Sequence, residues 1–308
     1  MGKIAFVFAG QGAQYAGMGQ SLYEASPAAR QVLNEAEALR PGTLEQCFHG
    51  EPGMLNQTVN TQPCLMAVDC ACAAALMEKG VQPAGFAGFS LGEIAALATS
   101  GMLRFQEAFA LVLRRAEWMQ ACAERNPGGM AAVLKLDDAA VEAICAQQQA
   151  YPVNYNCPGQ VVCAMRSERI APFTEAVKAA GGRALPLAVS GGFHSPLMAD
   201  AAEALRGYAA QLTFQEPSAP LYANKTCRPY TVAHAAEWLG AQVESPVRWT
   251  ELIRNMQADG YTDFIEVGAG KTLSGLIGKI GGATRLANVE NADNLAATVQ
   301  GFKEGTAC

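Results

Sequence analysis

The apolar positions change period along the chain, and each change marks an element. Lys3–Phe8 is a short apolar run ended by Gly10 and Gly12, which predicts a buried strand entering a loop. Helical spacing follows over residues 27–40 and 62–79. It returns over 106–124, with Ala108, Leu111, Ala116, Met119 and Ala123 apolar, until Asn126-Pro127-Gly128-Gly129 breaks it. The rhythm then alters. Residues 130–136 predict a strand, 137–149 a helix, 152–157 and 160–166 two strands around Pro158-Gly159, 167–180 a second helix and 183–189 a last strand. The order β-α-β-β-α-β is that of a ferredoxin-like unit. Its flanks alternate strand and helix, as in a parallel α/β sheet. The reading is therefore an α/β fold. Residues 1–127 and 191–308 form its large domain, and 128–190 form an inserted subdomain hinged near Asn126–Gly129 and Ser190–Gly192.

Composition narrows the classes. Half of the 308 residues are hydrophobic and 16% are charged, enough apolar material for a core and too much for a disordered chain. A net charge of −6 disfavours nucleic acid as a partner. The longest apolar stretch, 64–77, is interrupted by Asp69 and falls short of the ~18 residues of a membrane span. The N-terminus enters a strand pattern without a signal peptide, so a cytoplasmic protein off the membrane is expected. Ten cysteines include no C-x-x-C, and His49, His194 and His234 are the only histidines. No metal site is expected, and the thiols are read as reduced and mostly buried.

Gly88-Phe89-Ser90-Leu91-Gly92 fits the G-x-S-x-G nucleophile elbow, in which a strand turns sharply into a helix. Glu93 to Ala98 is helix-forming, so Ser90 stands at a helix N-terminus that favours a developing anion. A surface turn can carry the same five residues. Ser90 needs a base, because a serine hydroxyl is not nucleophilic at neutral pH alone. His194, between Gly191-Gly192-Phe193 and Ser195-Pro196, sits in a fixed loop suited to that task. His49 falls in a polar loop and His234 opens an amphipathic helix, places for solvated or capping roles. In Arg114-Arg115 only one of two adjacent helical positions can face inward. An inward Arg115 must meet an anion, such as a substrate carboxylate gripped by two parallel hydrogen bonds; an outward one merely snorkels. Gly268-Ala269-Gly270-Lys271-Thr272 ends like a phosphate-binding loop but has Ile265 where the first glycine belongs. Gly10-x-Gly12 lacks the third glycine of a dinucleotide fingerprint, Tyr15 standing there. ATP and NAD are thus unsupported.

Taken together the segments resemble the malonyl-CoA:acyl-carrier-protein transacylase family over nearly the whole chain. The resemblance is carried by Phe8-Ala9-Gly10-Gln11-Gly12-Ala13-Gln14, Asn60-Thr61-Gln62-Pro63, Gly88 to Glu93, Arg115, and Asn154-Tyr155-Asn156-Cys157-Pro158-Gly159-Gln160. Phe193-His194-Ser195-Pro196-Leu197-Met198, Gln242 with Pro246-Val247 and Trp249, and Glu266-Val267-Gly268-Ala269-Gly270 complete it. It implies an α/β-hydrolase-like core with a ferredoxin-like insert. It implies Ser90 as nucleophile, His194 as base, the N–H groups of Gln11 and Leu91 as oxyanion hole, and Arg115 as holder of the malonyl carboxylate. Gln62, Phe89, Asn156 and Phe193 join the substrate-binding set. A main-chain carbonyl near Gln242 is expected to orient His194 in place of an acid. Malonyl-CoA and acyl carrier protein are the implied partners, with no cofactor and a monomeric enzyme.

One position departs from the family: Phe89 stands where histidine is usual. That histidine is not the base, so activity is expected to survive, with the acyl pocket altered. Three alternatives remain at this point. A serine hydrolase on the same elbow should give His194 an Asp or Glu and carry no buried arginine. A non-catalytic docking module should have lost Ser90 or His194. An acyltransferase of a polyketide pathway, using another acyl-CoA, would keep the same machinery.

Overall fold

The computed structural model describes residues 2–189 and 191–304. Ser190 of the second expected hinge, and Cys308, lie outside the described residues. Nine strands occur among the described residues: β1 (Lys3–Phe8), β2 (Gly85–Gly88), β3 (Gly128–Leu134), β4 (Tyr151–Cys157), β5 (Gln160–Arg166), β6 (Arg183–Pro186), β7 (Leu221–Tyr222), β8 (Tyr261–Val267) and β9 (Arg285–Val289). They build two sheets. The first is parallel, in the order β7-β2-β1-β8-β9. The second is antiparallel, in the order β4-β5-β3-β6, with helices Asp138–Gln148 and Ile170–Ala179 between its strands. That is the sheet order of the ferredoxin-like unit the apolar rhythm predicts.

The centre of the first sheet, residues 5–8, Phe86 and Ala87, and Phe264 and Ile265, is apolar and buried, as expected where helices cover both faces. Phe6 and Phe8 alternate with Ala5 and Val7 between two core clusters. Register places Phe8 beside Gly88 on one side and Val267 on the other, so three strands end level. Their carboxyl ends lead to Gly10–Gln14, to Ser90 and to Gly268–Gly270. Parallel sheets bind ligands at this edge.

The helix Thr58–Glu78 is the central prop, buried on nearly every side. A helix apolar all round belongs in a core, where each fully buried large aliphatic side chain contributes roughly 1.5–3 kcal/mol. It is long and apolar enough to cross a membrane, unlike the shorter stretch expected at 64–77, but most of it packs inside the molecule. It also begins four residues before the predicted start at 62, with Pro63 inside. The Thr61 hydroxyl, donating to the Leu55 and Gln57 carbonyls, ties down the turn that carries this proline.

Other expectations shift slightly. β6 stops at Pro186 rather than continuing to 189: Leu187 N–H still donates to the Met130 carbonyl, and the Val189 N–H then turns back onto the Leu187 carbonyl. Leu187 and Val189 then turn to line a cleft. His49 is the exposed last residue of the helix Thr43–His49, not a loop residue; Glu37 draws the chain into that helix by accepting from the N–H groups of Gly42 and Leu44. Nine cysteines are free and buried among the described residues.

Candidate active site

Ser90 occupies the turn between β2 and the helix Gly92–Thr99, with φ of 53°. The left-handed conformation is sterically costly for serine, and the surrounding turn enforces it. A Cβ on Gly88 would lie 2.0 Å from the Gly92 carbonyl carbon, so the elbow closes only around glycine. The Asn224 side chain clamps it, accepting from Ser90 N–H at 2.8 Å and donating to the Gly88 carbonyl at 2.6 Å. The loop after β1 lies alongside. A Cβ on Gly10 would stand 2.6 Å from the Phe89 carbonyl oxygen, and this contact brings Gln11 to the same cleft.

His194, also at positive φ, places Nε2 2.6 Å from Ser90 Oγ. Nδ1 lies 3.1 Å from each of two main-chain carbonyls, those of Gln242 and Ser245. Carbonyls only accept, so Nδ1 carries the proton and Nε2 presents its lone pair to the serine. Among the described residues no carboxylate contacts the imidazole. Burial, and then the Arg115 charge, hold the His194 pKa down at about 4, against the two carbonyl bonds that raise it. The ring is therefore neutral, and able to accept a proton, at any pH well above that. An NMR titration of the His194 ring, identified by loss of its signal in His194→Gln, should show a midpoint near 4; one at or above the ordinary 6.5 would contradict this environment.

Arg115 faces inward and is 2% exposed, whereas Arg114 faces solvent and pairs with Glu117. Its Nη1 donates to Gln62 Oε1 at 2.5 Å, and its Nη2 to Gln242 Oε1 at 2.9 Å and Ser90 Oγ at 3.1 Å. Nε is buried without a partner. Burial lowers its pKa only to about 10, so the guanidinium stays charged. Three N–H donors of five are engaged, with Ser90 Oγ among their acceptors.

The cleft around these groups has a volume of about 90 Å³ and is walled by Phe89, Met119, Met130, Leu187, Val189 and Phe193. Phe89 packs edge-on against Trp249 with ring centroids 5.4 Å apart. Asn156 does not reach this cleft. It lines a neighbouring one of about 260 Å³ that shares Gln11, Phe89, Asn154 and Leu187 with the first. Gln62 is buried behind Arg115 rather than lining the cleft, and Leu91 follows Ser90 at the helix start.

The resemblance names Gln242 only through a main-chain carbonyl, and the side-chain roles of Gln242, Glu93, Asn224 and Tyr230 carry no legible signal in the sequence. The Gln242 side chain donates from Nε2 to the Ser90 carbonyl and to Glu93 Oε2, both at 2.8 Å. Glu93, 1% exposed, also accepts from the Asn224 N–H at 3.2 Å and from the Tyr230 hydroxyl. Burial pushes the Glu93 carboxyl up to about 7, against these bonds and the Arg115 charge. Only the Gly88-to-Glu93 match hinted that Glu93 belongs to the site.

Comparison with known proteins places this arrangement. The acyl transferase domain family matches residues 5–281. The malonyl CoA-acyl carrier protein transacylase of Bacillus subtilis is 37% identical over 99% of this chain and 98% of its own. The crystal structure of the transacylase of that name from Clostridium perfringens superposes with a TM-score of 0.94 at 33% identity, covering 99% of this chain and 98% of the other. A complex of a type II PKS acyl-carrier protein with its malonyl-transacylase gives a TM-score of 0.93 at 34% identity, over 97% and 99%. A serine on its elbow, a histidine oriented by carbonyls and a buried arginine thus sit on a shared fold, and the chain belongs to the malonyl CoA-acyl carrier protein transacylase family of acyltransferases.

Proposed function

We propose that the chain transfers a malonyl group from malonyl-CoA to the phosphopantetheine thiol of acyl carrier protein through a malonyl ester on Ser90. Ser90 Oγ attacks the thioester carbonyl as His194 Nε2 takes its proton. The N–H groups of Gln11 and Leu91 receive the oxyanion; the Ser90 N–H is already bound to Asn224. The C–S bond breaks, and coenzyme A leaves with the proton from His194. The carrier thiol then enters, gives its proton to His194 and attacks the ester carbonyl. Ser90 Oγ departs and recovers that proton.

The observation that carries this reading is the charged, buried Arg115 within 3.1 Å of the nucleophile. A general esterase gains nothing from such a group, which is costly to bury without an anion. A malonyl carboxylate answers it. It also offsets the positive charge that depresses His194, so the base strengthens when the acidic substrate is in place. The buried, unpartnered Oδ1 atoms of Asn154 and Asn156 suit the amide N–H groups of a pantetheine arm in the neighbouring cleft. We also place the protein in the cytoplasm, off the membrane, as a cofactor-free monomer. Nucleophile, base and anion holder come from one chain, and buried free thiols fit a reducing compartment.

Intact-protein mass spectrometry tests the reading. The protein should gain a malonyl mass from malonyl-CoA and lose it on adding holo carrier protein. No gain, or loss to water just as fast without carrier, would reject it. Phe89→His should keep measurable transfer, since position 89 touches no proton on the relay, while shifting the ratio of acyl donors accepted. A folded Phe89→His protein with no transfer would assign Phe89 a further role.

A further inference from the structure

We infer that Glu93 is a positioning residue for substrate selection: its buried carboxylate fixes the Gln242 amide so that the amide oxygen holds Arg115 against Ser90. The inference rests on the reading of Arg115 as the holder of a substrate carboxylate. Its basis is the direction of the hydrogen bonds. Gln242 Nε2 faces the Ser90 carbonyl, which only accepts, and Glu93 Oε2, which also accepts from the Asn224 N–H. The amide nitrogen must therefore point toward them, which leaves Oε1 for Arg115 Nη2. A reversed amide would set NH2 against the guanidinium and oxygen against carboxylate and carbonyl.

Glu93 is itself locked. Tyr230 donates to Oε1, and the Asn224 N–H donates to Oε2 beside Gln242. Through Asn224 the same carboxylate reaches the clamp on the elbow, and through Gln242 it reaches the arginine. An acidic residue in the first turn of Gly92–Thr99 could complement the helix dipole from the surface. Such a role needs no burial. Glu93 instead lies in the interior, one amide away from Arg115, where the two charges favour one another against burial.

Glu93→Gln keeps the shape but removes the negative charge, which weakens the hold on the Gln242 amide and, through it, on Arg115. Gln242→Met removes the polar link and leaves the main-chain carbonyl on His194. The experiment measures enzyme acylation by malonyl-CoA and by acetyl-CoA for wild type, both single variants and the double variant. The malonyl-to-acetyl ratio should fall about tenfold or more in Glu93→Gln, the scale of one charge-assisted hydrogen bond, with the acetyl rate held within about threefold. The double variant should fall no further than Gln242→Met, because both changes cut one chain of contacts. Equal loss of both rates in folded Glu93→Gln would make the residue merely structural, and an unchanged ratio would equally overturn the inference. Should Glu93→Gln fail to fold, a wild-type ratio in Gln242→Met overturns it. Failure of wild type to take up malonyl at all would reject the reaction itself, a distinct outcome.

Discussion

A Ser90→Ala protein should take up no malonyl group from malonyl-CoA, with acyl transfer falling on the order of 10⁶-fold, as when the nucleophile of a catalytic unit is removed. The reason is positional as much as chemical. Ser90 Oγ is the hydroxyl held 2.6 Å from the His194 lone pair at the carboxyl edge of the parallel sheet. The variant should still fold. The elbow is set by the Ser90 N–H on Asn224 and by the close approach of Gly88 and Gly92, neither of which uses the side chain. Intact mass after incubation with malonyl-CoA, with a melting curve as control, checks the expectation. A malonyl adduct on the folded variant would move the nucleophile elsewhere.

Arg115→Ala should separate the two acyl donors. Truncating one partner of a buried charge pair costs about 3–5 kcal/mol, or roughly 10²–10³-fold in malonyl transfer. Acetyl has no carboxylate to lose. Its acylation rate should fall little or rise, because the variant also removes the positive charge that weakens His194 as a base. Arg115→Lys should rescue malonyl only in part, since an ammonium cannot serve Gln62, Gln242 and a carboxylate with the reach of a planar fork. Acylation rates with both donors in the three proteins decide it. Equal losses would make Arg115 structural and withdraw the dicarboxylate from the reading.

The alternatives left open by the residues divide on the same geometry. A hydrolase triad would give His194 an acidic partner, yet its Nδ1 meets two carbonyls. The acid in the site, Glu93, turns away toward Gln242. A docking module would need no base on its serine, yet the two are in contact. The burial of Arg115 was undecided by sequence, because a helix carrying two adjacent arginines says only that one points in. Packing of Phe105–Arg125 on Thr58–Glu78 chose residue 115 and supplied Gln62 to receive it.

Local pattern was sufficient wherever the chemistry is local. The apolar period wrote β1, the long helices and the β-α-β-β-α-β unit, because burial of one face repeats at the spacing of the element itself. The elbow was legible because a turn that tight admits only glycine beside the serine. The His194 loop was legible because Gly191, Gly192 and Pro196 restrict the backbone there. What tertiary structure alone decided is the hydrogen-bond web around the dyad. Gln242 lies 152 residues from Ser90, and Asn224 lies 136 from Gly88. Sequence spacing carries no record of which side chains the register of β1, β2 and β8 sets face to face. Nor could it separate Asn156 from the Ser90 cleft, since Asn154, two positions earlier on β4, lines both hollows and Asn156 only the neighbouring one. Donor and acceptor roles are fixed by direction in space, and direction exists only once the sheet edge, the elbow and the loop after Val243 have closed on one another.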